Sequence, residues 1–290
     1  MRIPAVLAVV LVGLGLAADA AVAAPPPLRA FPAQHGRAYP VTDGLRYFVI
    51  DREPGVVRVV DTRTGEGTDA AVRAQCDARG ATAGIALVGC TDDAHPWLMR
   101  LSTRRMAPLE IGQGEIAWHD IGRHWLLGGY HENRPVVVYT AWRPDERGRR
   151  DGFSGDGFES PRFDLDDPEL RPISAQHTIF DRDGTGVLKD LRKARGSDVR
   201  LVLDRGSRRV VLSHCRGGCA HGSLSGGVAT WSEGDTVRAY VERTGRRHRW
   251  SYDGPARPAA VVHTRTHVLA ALPVSEPPYV PRLRWARVRE

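Results

Sequence analysis

Asparagine and lysine are almost missing from this chain: Asn133 stands alone, and Lys189 and Lys193 are the only lysines among 41 basic residues. The formal charge of +7 is therefore carried by arginine, spread along the sequence and interleaved with 34 acids. A scattered excess of this kind reflects coding bias, whereas a nucleic-acid surface concentrates its cations on one face. Helix-period stretches are scarce too, the one fair candidate being "GVLKDLRKA" (186–194). No P-loop or dinucleotide fingerprint occurs, which removes the commonest phosphate-cradling chemistry. "GSLSG" (222–226) has the outline of a hydrolase elbow, but Leu224 stands where the serine nucleophile must be.

What is present starts with the N-terminus. Met1 and Arg2 precede the apolar run "PAVLAVVLVGLGLA" (4–17), and "AVA" (21–23) supplies a small-residue cleavage site before "APPP". Residues 1–23 therefore predict a cleavable secretory signal; a membrane helix would need about 20 apolar residues. The mature chain is expected to be secreted, outside the cell or in the envelope, with no transmembrane segment. Export changes the meaning of the four cysteines, Cys76, Cys90, Cys215 and Cys219, which in an oxidising compartment favour two disulfides. Three pairings are open, and locality favours Cys76 with Cys90 and Cys215 with Cys219. A metal site at "SHCRGGCAHG" (213–222) using His214 or His221 lacks the second ligand pair that structural zinc sites show.

The rest of the chain offers short runs rich in Val, Leu, Tyr and Trp, punctuated by Gly, Pro and Asp, the signature of an all-β fold. Five strand–turn–strand segments begin near residues 46, 84, 124, 227 and 267, and three of the four gaps between them lie close to 40 residues. A sixth hairpin, "VRLVLDRGSRRVVLSHC" (199–215), is out of phase. A four-stranded unit of about 40 residues matches the blade of a β-propeller, whose radial repetition protects sheet edges. The phrase "VVRVVDTRTGE" (56–66) resembles the strand and turn recurring in bacterial secreted propellers of the TolB-like and YVTN-like kinds, with a degraded copy in "VRAYVERTGRR" (237–247). That resemblance implies architecture over about residues 41–290 and brings no active site with it. Six blades are expected, five or seven remaining open, with a β-sandwich as the alternative. Residues 24–40 could supply a ring-closing strand, and 145–195 reads as an insertion.

Candidate chemistry is thin. "DRDGTGVLKDLR" (181–192) begins as a calcium loop does, with Asp181, Asp183 and Thr185 at the first three ligand positions, but Arg192 replaces the closing glutamate. A turn leading into a short helix is the plainer expectation. Calcium is thus the only cofactor in view, and calcium-dependent lactonase-type propellers rely on asparagine ligands that Asn133 alone cannot fill. Asp151, Asp156, Glu159, Asp164, Asp166, Asp167 and Glu169 could furnish a glycosidase pair, or only a solvated loop. His263 and His267 would share one face if they lie on a single strand. Trp118, Trp125, Trp142 and Trp231 read as packing between strands; Trp97 and Trp250 are less committed and could stack on a ligand. The arginine-rich stretches "RTGRRHRW" (243–250) and "RLRWARVRE" (282–290) read as solvated strand faces, with an acidic polymer as the rival partner. Together these features favour a monomeric binding module for a protein or polysaccharide ligand, the alternative being an extracellular hydrolase or lyase that uses the acids of 151–169; nucleic acid is not expected.

Overall fold

The computed structural model describes residues 25–35, 40–90, 96–108, 118–121, 126–133, 136–142, 150–156, 179–182, 187–192, 199–215, 218–252, 257–274 and 281–289. They form 24 strands and no helix. The first strand, β1 (Arg29–His35), belongs to the last sheet. Sheet one is β2 (Val41–Thr42), β3 (Tyr47–Glu53), β4 (Val56–Asp61) and β5 (Gly67–Ala71); sheet two is β6 (Cys76–Thr82), β7 (Ile85–Cys90), β8 (Trp97–Arg100) and β9 (Arg105–Pro108). Sheet three comprises β10 (Trp118–Ile121), β11 (Leu126–Asn133), β12 (Val136–Trp142) and β13 (Arg150–Asp156), and sheet four β14 (Ile179–Arg182), β15 (Val187–Arg192), β16 (Val199–Asp204) and β17 (Arg209–His214). Sheet five is β18 (Cys219–Ser225), β19 (Val228–Glu233), β20 (Thr236–Val241) and β21 (Arg246–Ser251). Sheet six joins β22 (Ala260–His263), β23 (His267–Leu272) and β24 (Arg282–Arg287) to β1, which pairs antiparallel with β24 through Arg29 opposite Trp285.

Every sheet is antiparallel, the first five as simple meanders and the sixth as a three-stranded meander completed by β1, and the core lies between sheets rather than within one. The cluster of Tyr47, Val49, Val57, Val88 and Met99 joins sheet one to sheet two; Leu201, Leu203, Trp231 and Tyr240 join four to five; Val237, Trp250, Val268 and Leu272 join five to six; Phe31, Phe48, Ile50 and Leu269 join six to one. Strands such as β3 are consequently buried on both faces, Tyr47 and Val49 looking one way and Phe48 and Ile50 the other. This is why second strands such as β3, β7, β19 and β23 read as continuous apolar runs instead of alternating ones. Full burial of each such side chain contributes about 1.5–3 kcal/mol. First strands also meet: β2 touches β6 and β22, β6 touches β10, and β18 touches β14 and β22.

One end of these first strands is tied tightly. The Thr42 hydroxyl donates to the His263 carbonyl at 2.9 Å, and the Ser225 hydroxyl reaches from sheet five to the Gly44 carbonyl at 3.2 Å. Gly44 has a φ of +71°, and a Cβ there would lie 2.1 Å from Ser225 Oγ, so any side chain is excluded twice over. Asp43, 6% exposed, accepts the backbone N–H groups of Leu45, Arg46 and Tyr47 and fixes the same turn.

Three expectations are corrected. "GVLKDLRKA" is not helical: Val187–Arg192 is β15, because Leu188 fills the core between sheets four and five while Lys189 pairs with Asp204 at 2.9 Å on the opposite face. Second strands therefore begin at Val187, Val228 and His267, and the hairpin 199–215 looked out of phase because it is the outer half of its sheet. His263 and His267 do not share a strand: the first ends β22, the second begins β23 across a turn. The interval 145–195 contributes β13, β14 and β15 to regular sheets, and its remaining residues lie outside the described ones. The expected signal, 1–23, lies outside them as well.

Candidate functional site

A groove of about 250 Å³ opens where the core between sheets one and two reaches solvent. Ala71, Val72 and Arg73, at and after the end of β5, form one wall; Cys76, Val88, Trp97 and Met106, from the four strands of sheet two, form the other. Register places them there: Cys76 lies opposite Cys90, and Val88 opposite Trp97, so their side chains share one face of the sheet. The Cys76–Cys90 disulfide pins the first two strands of sheet two beside the groove. The Arg73 guanidinium lies 5.7 Å from the Trp97 ring centroid, a cation held over an aromatic face. Met106, 36% exposed, supplies an adaptable thioether at the rim. Trp97 was visible in the sequence as a less committed ring; Arg73 and Met106 were not, since only their convergence makes a site.

Behind the groove a buried carboxylate joins the two sheets. Asp51, 4% exposed on β3, accepts the Ala78 backbone N–H of β6 at 3.0 Å. The nearby turn of the resembled motif is built by its own side chains: Asp61 accepts from the Arg63 N–H and forms a two-pronged ion pair with Arg46, Gly65 N–H donates to the Asp61 carbonyl, and Gly65 takes a φ of +77°. The hydrogen bond from Arg46 keeps the Asp61 carboxyl below the ordinary aspartate range. In the second copy Glu242 reaches Arg205 instead, and in sheet two the left-handed position is occupied by Arg104 at φ +58°.

The second disulfide, Cys215–Cys219, staples the passage from β17 into β18, so its sulfurs are unavailable as thiolate ligands. Beside it the Glu233 carboxylate accepts from the Ser213 hydroxyl and faces Arg238 at 3.4 Å. His221 has a φ of +51°; burial first, then Arg257, holds its imidazole below the usual histidine range. His267 is pushed down to about 4, by burial first and then by Arg287, and stacks on Trp285 with centroids 4.8 Å apart. Trp231 and Trp250 are both core residues, Trp250 stacked on His248. Among the described residues no three of His, Cys, Asp and Glu gather as a metal ion would require. Asp183 and Thr185 of the calcium-loop candidate lie outside the described residues, and Asp181 lies on β14. Of the acidic series, Asp151 and Asp156 belong to β13, and Glu159, Asp164, Asp166, Asp167 and Glu169 are outside. Trp118 and Trp142 sit on β10 and β12; Trp125 is outside. Two disulfides point to an oxidising environment, and among the described residues no helix is long and apolar enough to cross a membrane.

No protein-family model matches the chain, and no curated protein matches it. Solved structures do. The acylaminoacyl peptidase of Pyrococcus horikoshii superposes with a TM-score of 0.60 at 9% identity over 89% of this chain, and the chain spans about half (52%) of that enzyme's length. An oligogalacturonate lyase in complex with manganese superposes with a TM-score of 0.56 at 12% identity, covering 91% of this chain and 90% of its own. What they share with it is a propeller-like architecture. At such identities the likeness speaks for the fold alone.

Proposed function

We propose that this chain is an exported, six-bladed β-propeller, its ring closed by β1 on β24, that works as a monomeric binding module outside the cell or in its envelope. The six four-stranded sheets, the meeting of their first strands and the pairing of the two chain ends support the ring. The N-terminal sequence and the two disulfides support export.

The observation that carries binding over catalysis is the lining of the groove. Its walls are apolar, with one guanidinium and one indole, and the residues that line it include no carboxylate, imidazole or hydroxyl to act as base or nucleophile. A flat apolar group, such as the face of a sugar or an aromatic side chain, fits a cavity of this size against Trp97, and Arg73 selects a ligand with an acceptor or negative charge beside it.

Calorimetry of the secreted protein against a panel of soluble glycans and peptides tests the reading. A ligand whose affinity falls at least tenfold in Trp97→Ala, with the fold retained at the assay temperature, supports it. Turnover of a glycan or nitrophenyl ester, abolished by Asp or Glu substitution within 151–169, would replace it with an extracellular hydrolase or lyase.

A further inference from the structure

Two turns far apart in sequence meet on one surface. "DRGSRR" (204–209) links β16 to β17, and "ERTGRR" (242–247) links β20 to β21. Arg205 of the first donates from Nε and from its terminal nitrogen to the Glu242 carboxylate of the second, at 2.9 and 2.8 Å. Arg247 of the second donates to the backbone carbonyls of Val211 and Leu212 on β17. These contacts lock the turns side by side.

The acids in them are consumed by the same contacts. Asp204, its side chain 12% exposed, is held by Lys189 at 2.9 Å and by Arg209 at 2.9 Å, and Glu242 is held by Arg205. Over 204–209 and 242–249 seven arginines stand against two acids. Arg208, Arg209, Arg243, Arg246, Arg247 and Arg249 are all exposed, whereas neither acid is. Coding bias explains why these cations are arginines. It does not explain why Arg247 and Arg249 lie on the side of sheet five that faces sheet four, beside the Arg208 turn, with the acids of both turns already neutralised; register turns Arg209 and Arg246 to the other sides of their strands.

We infer that this face, made by the outer turns of sheets four and five, binds an acidic polysaccharide through its carboxylates. Guanidinium groups pair two-pronged with carboxylates, and several along one face engage a chain whose charges repeat at each sugar. Each contact at an exposed site is weak, so affinity comes from their number. The face is separate from the groove and does not depend on its role.

Binding of alginate to the secreted full chain, measured by calorimetry at low salt, tests the inference. Arg208→Gln combined with Arg249→Gln should weaken alginate binding at least tenfold without moving Tm, and raised salt should weaken it in the parent. Arg63→Gln with Arg105→Gln, which removes the same charge on other sheets, and Trp97→Ala in the groove should leave it unchanged. Absent alginate binding, or equal loss in the Arg63 and Arg105 control, overturns the proposal. Equal or tighter binding of polyphosphate, single-stranded DNA or phosphatidylglycerol vesicles overturns the assignment to carboxylates.

Discussion

Acidification should destabilise this protein through His267, and the size of the effect follows from its surroundings. The imidazole is partly buried, stacks on Trp285, lies 3.0 Å through Nδ1 from the Thr266 hydroxyl and is near Arg287; burial first and then Arg287 lower its pKa to about 4 in the folded chain. In the unfolded chain it returns to about 6.5. A depressed histidine favours the folded state fully above the unfolded value, and that advantage is lost as pH falls from about 6.5 towards 4. Between pH 7 and pH 5 the unfolded chain takes up a proton that the folded chain refuses, which costs about 2 kcal/mol. For a domain of this size that is about 4–8 °C in Tm. His267→Phe keeps a ring on Trp285 without the proton site, so its Tm should fall less between pH 7 and pH 5 than the parent's, by about that amount. Calorimetric melts of both proteins at pH 7, 6 and 5 provide the comparison. Parallel loss in the two would refute the reasoning, and would move the acid sensitivity to His221 or elsewhere.

Other perturbations have distinct signatures. Arg104→Gly should raise stability by about 0.5–1 kcal/mol in denaturant titration, because a left-handed φ that strains a branched Cα suits glycine. Asp51→Ala should cost about 1–3 kcal/mol by stranding the Ala78 N–H between sheets one and two, with Asp51→Asn recovering part of it. Replacing Cys76 and Cys90 by serine should cost about 3 kcal/mol and the same change at Cys215 and Cys219 about 2 kcal/mol, as loop closure over 14 and 4 residues requires. Asp204, held near a pKa of about 2 first by Lys189 and then by Arg209, contributes stability above pH 4 that is lost as pH falls towards 2; Lys189→Met should lower Tm at neutral pH and flatten its fall in acid.

The strands most legible in the sequence were those buried on both faces. β3, β7, β19 and β23 read as unbroken apolar runs because each packs against two neighbouring sheets, and their spacing exposed the 40-residue repeat. β15 reads as a helix in the sequence since "VLKDLRK" alternates a core leucine with Lys189, whose ammonium is satisfied by Asp204; a half-buried ion pair made across strands has no signature along a single chain. First strands such as β2, two residues long, are too short to show a period. The cysteine pairing followed from locality because both bridges join neighbours in the meander. The groove and the arginine face were hidden for a common reason: each is made by residues brought together from two sheets. Arg73 and Met106 stand 33 positions apart, Arg208 and Arg249 stand 41 apart, and no spacing rule links them.

The pairing of β1 with β24 means that the earliest strand of the chain must wait for the latest one. Until Arg282–Arg287 has been synthesised, Phe31 has no Trp285 to pack against and the edge of β1 is open to any other strand. Sheet six, and with it the cores on both its sides, is completed only once β24 is in place. A chain cut before Arg282 should therefore present a sticky seam rather than a slightly shorter protein.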